Sequence, residues 1–296
     1  MVISYAARAV TEARAEHAEG PAWDARRDEL LWVDQFAGLV HRSRYEGGVL
    51  HPVRTYEIGV AVGAAVPIAG TDGWMLGAGA GFIRLAADGR TEVIAEPEAA
   101  VRGTNRMNDG KCDPLGRFYA GSMAWSKQAG AGALYRYDGS VRTILPEVTI
   151  SNGMAWSAAG DRMYYIDTPT RRVDVFTVGA DGEPADRRPA FPIDPADGAP
   201  DGMCIDDEDC LWVAMWGGGK VCRYAPTGEK LATVAVPAPQ VSSCAFAGRT
   251  LFITTSQEGY TPADSDRHPG AGLLYAIDLP VGGPPATPLS SAFDPG

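Results

Sequence analysis

One short apolar, aromatic-rich run of residues recurs six times along this chain of 296 residues. Each run follows a turn signal such as Asp72-Gly73 and leads into a second apolar run and another turn. Successive copies start 40 to 47 residues apart, and they lie at 31–34, 74–77, 118–121, 164–167, 211–214 and 251–254. Repetition at so regular a period indicates that the chain is built from copies of one structural unit.

The repeated unit reads as strand, turn, strand, turn, which is typical of a β-propeller blade. A single four-stranded sheet cannot bury both of its faces, whereas six sheets packed radially hide those faces and leave only short edges. The sequence therefore predicts an all-β fold, a six-bladed β-propeller with four-stranded antiparallel blades. We expect one domain over residues 1–296, with 279–296 as an extended C-terminal tail. A β-sandwich is the alternative, but sandwiches do not repeat at a fixed period.

Charge and cysteine content narrow the range of functions. The formal net charge is −11 without a Lys/Arg cluster, which disfavours binding to nucleic acid or anionic membranes. The five cysteines are odd in number and include no CxxC pair, so they do not form a complete disulfide framework. No apolar run approaches about 18 residues, and the N-terminus lacks a secretory pattern. We expect a reduced, cytoplasmic protein that is a monomer or weak homo-oligomer.

An acidic or amide residue followed by glycine stands at matching positions in four of the six repeats. The four pairs are Glu19-Gly20, Asp109-Gly110, Asn152-Gly153 and Asp201-Gly202. Taken singly, each pair is a common hairpin turn. In a propeller, however, the first strand of every blade lines a central channel, so four side chains at equal phase converge. Gathered carboxylates resist ionisation unless a cation joins them, and an oxygen-only ligand set suits Ca²⁺, Mg²⁺ or Mn²⁺ better than Zn²⁺.

The same residues resemble those of a known family, the gluconolactonase/regucalcin (senescence-marker-protein) family. The resemblance covers nearly the whole chain, and its strongest blocks lie at 19–24, 106–114, 116–123, 151–156 and 200–203. It implies a six-bladed propeller that holds one divalent ion at the end of its channel. The implied ligands are Glu19, Asn152 and Asp201. We expect Ca²⁺ first, with Zn²⁺, Mg²⁺ or Mn²⁺ as alternatives.

The resemblance also implies a substrate site beside the ion, which would accept a small sugar (aldono-)lactone. Arg106 and Asn108 match the family positions that hold the substrate, and Asp109 follows them. After the block that ends at 123, many family members carry an acid that contacts sugar hydroxyls, whereas this chain has Trp125. We expect Trp125 to stack on the sugar or to close an apolar pocket. Which lactone is opened is therefore not predicted.

Lactone hydrolysis requires water to attack an ester carbonyl, so these residues predict a metal-dependent hydrolase. A divalent cation would polarise the carbonyl, and Arg106 would add a fixed positive charge. Asp201 is the predicted general base, and attack by water acidified by the ion is the open alternative. A calcium-binding propeller without catalysis and a phosphotriesterase-like hydrolase are the competing functions. His17, two residues before Glu19, is expected to be an exposed loop histidine.

Overall fold

The computed structural model describes residues 2–296, and its strands form six sheets that follow one another along the chain. The innermost strands of neighbouring sheets contact each other, and the sixth contacts the first, so the sheets close into a ring. The predicted six-bladed β-propeller is therefore confirmed. Among the described residues, no helix is long and apolar enough to cross a membrane.

Blades one to four each take four consecutive strands. Blade one has β3 (Ala18–Asp24), β4 (Glu29–Asp34), β5 (Leu39–Glu46) and β6 (Val49–Glu57). Blade two has β7 (Val62–Pro67), β8 (Trp74–Ala78), β9 (Gly81–Leu85) and β10 (Thr91–Ala95). Blade three has β11 (Asn105–Cys112), β12 (Phe118–Ala124), β13 (Gly132–Tyr137) and β14 (Val141–Val148). Blade four has β15 (Ser151–Trp156), β16 (Arg162–Asp167), β17 (Arg172–Val178) and β18 (Pro184–Pro192). The recurring apolar run is the second strand of each blade.

Blades five and six join the two ends of the chain. Blade five has β19 (Ala199–Ile205), β20 (Leu211–Trp216), β21 (Lys220–Tyr224) and β22 (Lys230–Ala235), and β1 (Ile3–Ala6) pairs in parallel with β22. Blade six has β23 (Val241–Thr255), β24 (Tyr275–Gly283) and β2 (Arg8–Ala9), which pairs with β24. β23 folds back at Gly248, which has a φ of +57°, so this one strand supplies both inner strands of the blade. Hydrogen bonds between the chain ends therefore close the ring.

Helical segments are few and short in the described part of the chain. The single α-helix, α1, spans Pro262–Arg267 within the loop between β23 and β24. Short 3-10 turns lie at Ala99–Val101, Thr168–Thr170, Pro195–Asp197 and Ser291–Phe293. The loops therefore carry little regular structure, and the blades provide the rigid frame.

The hydrophobic core lies between neighbouring blades. For example, Val33 of blade one packs in the same cluster as Trp74 and Leu76 of blade two, and all three are almost completely buried. The five cysteines are buried and free, as expected for thiols that pack as small apolar groups. Each blade thus depends on its neighbours for burial, which is the reason the repeat needs a closed ring.

The C-terminal tail is shorter than the sequence indicated. β24 extends to Gly283, so residues 279–283 pair within blade six instead of forming an extended segment. Beyond it, the backbone N–H of Ala286 donates to the carbonyl of Trp23, and that of Ser290 donates to the carbonyl of Gly116. The tail therefore lies across the end of the ring where β3 finishes, opposite the end where Glu19 begins the same strand.

A buried aspartate at the end of an inner strand, or directly after it, orders the following turn in three blades: Asp24, Asp113 and Asp206. Each carboxylate accepts hydrogen bonds from backbone N–H groups of that turn and from an arginine of the same blade. Asp206 also accepts a hydrogen bond of 2.8 Å from Nε1 of Trp212. These carboxylates satisfy donors that would otherwise be buried without partners, so they fix the inner hairpins.

We expect Asp206→Ala to lower the free energy of unfolding by about 3–5 kcal/mol. It would leave the guanidinium of Arg223 and Nε1 of Trp212 without their shared acceptor inside the blade. Asp207→Ala is the matched control, because the exposed Asp207 side chain makes no hydrogen bond among the described residues, and it should change stability by less than about 0.5 kcal/mol. Urea unfolding followed by circular dichroism measures both. A loss below about 1 kcal/mol for Asp206→Ala would contradict this role.

Candidate active site

The predicted ligands lie where the inner strands interrupt their hydrogen-bonded ladders. The pairing of β3 with β4 shifts just after Glu19, that of β15 with β16 shifts across Asn152, and that of β19 with β20 shifts across Asp201. A bulge of this kind bends a strand and re-aims its side chain. The repeat thus places three polar side chains at the same end of the channel, which we call the channel mouth.

A cavity of about 100 Å³ opens at the channel mouth. It is lined by five of the residues singled out from the sequence: Glu19, Asn152, Asp201, Arg106 and Asn108. Its remaining polar lining residues are His17, Lys127, Thr168 and Glu258. We call this space the mouth cavity. The structure therefore brings the predicted ligands together with two of the predicted substrate-binding residues, although they come from four different blades.

Hydrogen bonds connect Asn152 to its neighbours on both sides. Its Nδ2 donates to Oγ1 of Thr168 at 2.8 Å, which fixes the orientation of the amide. Its Oδ1 accepts a hydrogen bond of 3.2 Å from Nδ2 of Asn108. Thr168 in turn donates to the carbonyl of Pro200, just before Asp201. The amide oxygen is therefore held on the side of Asn152 that faces the channel residues.

Three buried carboxylates bring like charges close together near the channel axis. Glu19, Asp109 and Asp201 are 3%, 6% and 7% exposed, and within the described chain none forms an ion pair with Lys or Arg. Burial raises the pKa of Glu19 and of Asp201 well above the usual value, and the neighbouring carboxylates raise both further. Burial also raises the pKa of Asp109, which the charge of Lys111 partly offsets.

This arrangement of donors fits a hard divalent cation. Two carboxylates and one amide oxygen supply only oxygen ligands, and a cation would remove the repulsion that raises the pKa of Glu19 and Asp201. Across residues 2–296, no group of three or more His, Cys, Asp or Glu side chains is arranged to hold a metal ion. The set therefore depends on the amide oxygen of Asn152 as its third protein ligand.

Arg106 is clamped between two aromatic rings at the edge of the mouth cavity. Its guanidinium carbon lies 5.2 Å from the ring centre of Phe36 and 4.9 Å from that of Trp125. Nη1 donates to Oδ1 of Asn108 at 2.6 Å and to the carbonyl of Met107 at 3.1 Å. Burial lowers the pKa of Arg106 to about 10, so the side chain stays charged at neutral pH. Its buried Nε has no hydrogen-bond partner in the described chain.

Asp109 and Trp125 lie outside the mouth cavity. Asp109 lines a larger cavity of about 420 Å³ further along the channel, and its carboxylate accepts a hydrogen bond of 2.6 Å from the N–H of Gly110. Trp125 is 47% exposed and lines a separate cavity of about 350 Å³, to which Arg106 also contributes. Their roles in substrate binding stay predictions, and any contact of Trp125 with substrate would be made beside Arg106.

His17 is buried, so the expectation of an exposed loop histidine is wrong. It is 6% exposed, its Nδ1 lies 2.9 Å from Oγ of Ser256, and its ring packs against Phe36 and Trp216. Burial, with the charges of Arg106 and Lys127, lowers its pKa to about 3. The imidazole is therefore neutral and a weak base. The sequence does contain a sign that His17 faces the channel. It stands two residues before Glu19, and alternate residues of a strand share a face.

Lys127 and Glu258 line the mouth cavity although the sequence did not indicate them. Lys127 follows β12 and Glu258 follows β23, so each comes directly after the second strand of its blade. Inner strands start at the channel mouth and second strands return to it. Residues that follow a second strand therefore belong to the rim, and this repeat position is the signal that could have found them.

Comparison with known proteins identifies the family of this chain. The family described as SMP-30/Gluconolactonase/LRE-like region matches residues 17–257. The chain belongs to this family. It is 34% identical over 295 residues to the putative sugar lactone lactonase YvrE of Bacillus subtilis (strain 168), covering 95% of this chain and 98% of that protein. The predicted family is thus confirmed.

Regucalcins are similar to this chain in sequence and in structure. The chain is 33% identical to regucalcin of Macaca fascicularis over 273 residues, which cover 88% of this chain and 89% of that protein. A solved structure described as a calcium-binding protein, regucalcin, from Agrobacterium tumefaciens superimposes with a TM-score of 0.91 at 25% identity, covering 98% of this chain and 99% of that one. The chain is therefore similar both to a protein named as a putative lactonase and to a protein described as calcium-binding.

Proposed function

We propose that this protein hydrolyses a small sugar lactone with the help of one divalent cation held by Glu19, Asn152 and Asp201. The observation that carries the proposal is the convergence of two unpaired buried carboxylates, an amide oxygen and Arg106 on one cavity. The similarity to a protein named as a lactonase supports the choice of substrate class. When bound, the ion supplies a Lewis acid that polarises the lactone carbonyl and stabilises developing negative charge.

The chemistry of the ligands favours Ca²⁺, with Mg²⁺, Mn²⁺ and Zn²⁺ as the alternatives. Carboxylate and amide oxygens are hard donors, and no cysteine lines the mouth cavity. The calcium-binding description of the regucalcin from Agrobacterium tumefaciens supports the same choice. The protein contributes a fixed donor set on rigid inner strands, so little rearrangement is needed when the ion binds.

Arg106 is suited to orient the substrate. Its Nη1 is already committed to Asn108, and this bond holds the plane of the guanidinium. The guanidinium charge stabilises negative charge that develops on the carbonyl oxygen of the lactone. Asn108 acts through Arg106 and Asn152, to both of which it is hydrogen-bonded.

Asp201 is the proposed proton acceptor. It takes a proton from the attacking water, and the same proton is then available for the ring oxygen that leaves as the ring opens. His17 is a poorer candidate, because its pKa of about 3 makes it a weak base. Coordination to a cation would lower the basicity of Asp201, and a bound ion would also make water more acidic, which is the alternative to proton abstraction by Asp201.

The competing functions account for less of the site. A protein that only stored calcium would have no use for a buried arginine clamped between two aromatic rings beside the predicted ligands. A phosphotriesterase-like hydrolase could use the same ligands and the same arginine. Substrate selectivity is therefore the property that separates the proposed function from this alternative.

Acid release at constant pH tests the function directly. We expect opening of glucono-1,5-lactone and of a five-membered aldonolactone, complete loss of that activity with a chelator, and recovery on addition of Ca²⁺. An aryl phosphotriester should be hydrolysed at least about 100-fold more slowly. Buffer without protein is the control, since lactones open spontaneously. Lactone opening that survives the chelator, or a preference for the phosphotriester, would contradict the proposal.

A further inference from the structure

Glu258 is the carboxylate of the mouth cavity to which neither ion binding nor proton transfer assigns a role. Its backbone is fixed on both sides. The N–H of Glu258 donates to Oγ of Ser256 at 2.9 Å, and its carbonyl accepts a hydrogen bond from Nε2 of Gln240 at 3.1 Å. The side chain is 30% exposed and faces the cavity. A charged group is thus placed at the cavity wall by a well-ordered loop.

An ion pair across the channel mouth holds this carboxylate in place. Oε1 of Glu258 lies 3.3 Å from Nζ of Lys127, and Oε2 lies 3.8 Å from Nδ1 of His17. Lys127 belongs to blade three and Glu258 to blade six, which face each other across a six-bladed ring. The pair therefore spans the opening above the predicted ligands, and any substrate that reaches them passes beside it.

The charge of Glu258 reaches the reacting part of the site. Among the carboxylates that raise the pKa of Arg106, Glu258 has the largest effect, ahead of Glu19 and Asp201. Glu258 also raises the pKa of Asp201. Arg106 and Glu258 line the same cavity of about 100 Å³, so a lactone held by Arg106 would lie within reach of the Glu258 carboxylate.

The Glu258 carboxylate has acceptor capacity to spare. A carboxylate offers about four lone-pair positions, and the single close cation here is Lys127, which is 54% exposed. Trp125, the large rim side chain near Lys127, contacts Arg106 and stays outside the mouth cavity, so it neither fills nor satisfies these positions. The groups that would satisfy them best are hydroxyl donors of a bound ligand.

We infer that Glu258 is a specificity-determining residue whose carboxylate accepts hydrogen bonds from hydroxyl groups of the substrate. The site would then select polyhydroxylated lactones over lactones without hydroxyl groups, because the latter would bury this carboxylate without giving it donors. This inference rests on the proposed lactone hydrolysis and names the residue that recognises the hydroxyl groups of the substrate.

Kinetics with two lactones test the inference. For Glu258→Gln we expect the KM for glucono-1,5-lactone to rise roughly tenfold with kcat within about twofold, and both constants for δ-valerolactone to stay within about twofold. Glu258→Asp should recover part of the loss, because it keeps the charge. Lys127→Met is the matched control that removes the ion pair and leaves the carboxylate, and it should change the KM less than Glu258→Gln does. Equal changes for both lactones, or no change, would overturn the inference.

A binding measurement keeps this result separate from the fate of the proposed function. Ligand-observed NMR with D-glucitol, a polyol that has no ester to hydrolyse, reports hydroxyl recognition without turnover. Weaker binding of D-glucitol to Glu258→Gln than to the wild type supports the inference even if no lactone is opened. Equal binding overturns it, even if chelator-sensitive opening of glucono-1,5-lactone has established the proposed function.

Discussion

Asp201→Asn is expected to lower kcat/KM for lactone opening by about 10³-fold or more and to weaken divalent-ion binding. The substitution keeps the size of a buried side chain but removes both a proposed charged ligand and the proposed proton acceptor. It also removes a carboxylate that raises the pKa of Glu19, so the variant should fold without loss of stability. Steady-state kinetics and calorimetric titration with Ca²⁺ measure the two effects.

Saturating Ca²⁺ separates the two roles of Asp201. If the carboxylate served only to hold the ion, excess Ca²⁺ would restore the kcat of Asp201→Asn, whereas loss of a proton acceptor leaves kcat low. Asp207→Asn is the matched control, since it removes the same charge from an exposed position that lines the 420 Å³ cavity instead of the mouth cavity. Full turnover by Asp201→Asn without added ion would contradict its assignment to the site.

The repeat made most of the fold and part of the site predictable. Six copies of one strand-turn-strand unit define the blades, and matching positions in a closed ring must converge at the channel. That geometry groups Glu19, Asp109, Asn152 and Asp201, which are far apart in sequence. The resemblance to the family then singles out Glu19, Asn152 and Asp201 as the predicted ligands. Glu19, Asn152 and Asp201 do line one cavity, because register within an antiparallel sheet fixes which residues share a face.

Contacts between rim loops were not predictable in the same way. The Lys127–Glu258 pair joins opposite blades through loops of different length, and neither loop has a period that relates it to the other. Ring closure by β1 and β2 is equally non-local, since short strands at one chain end pair with blades formed at the other. Residues 279–283 belong to a strand because β24 continues along β23 as far as the pair Gly248–Gly283.

The burial of His17 has a related cause. A lone histidine at the start of a strand usually lies at the surface, but here Phe36 and Trp216 come from two rim segments and cover its ring. Trp125 illustrates the same limit, because its contacts with Phe36 and Arg106 join two blades. Equal phase predicts which strand positions face the channel, whereas packing among rim side chains depends on the assembled ring.

Without a divalent ion, the carboxylates at the channel mouth should destabilise the fold as the pH rises. The folded-state pKa of Glu19 and of Asp201 is raised, so the folded protein binds more protons than the unfolded chain between the unfolded and the folded pKa values. Their contribution to stability is therefore present below the unfolded pKa and is lost as the pH rises through the folded pKa. His17 acts in the opposite sense, because its lowered pKa makes stability fall as the pH drops from about 6.5 towards 3.

Thermal unfolding between pH 4 and 8, with chelator and with Ca²⁺, should resolve these contributions. An ion that binds only the folded state and is present at 1,000 times its Kd adds about 4 kcal/mol to the free energy of unfolding, or about 10 °C to Tm. This gain should grow with pH as the carboxylates lose their protons. Asp201→Asn keeps His17 and removes one carboxylate, so its chelator curve should fall less steeply with pH, and its gain with Ca²⁺ should be small. A gain that is independent of pH, or equal in Asp201→Asn, would show that the ion binds away from Asp201.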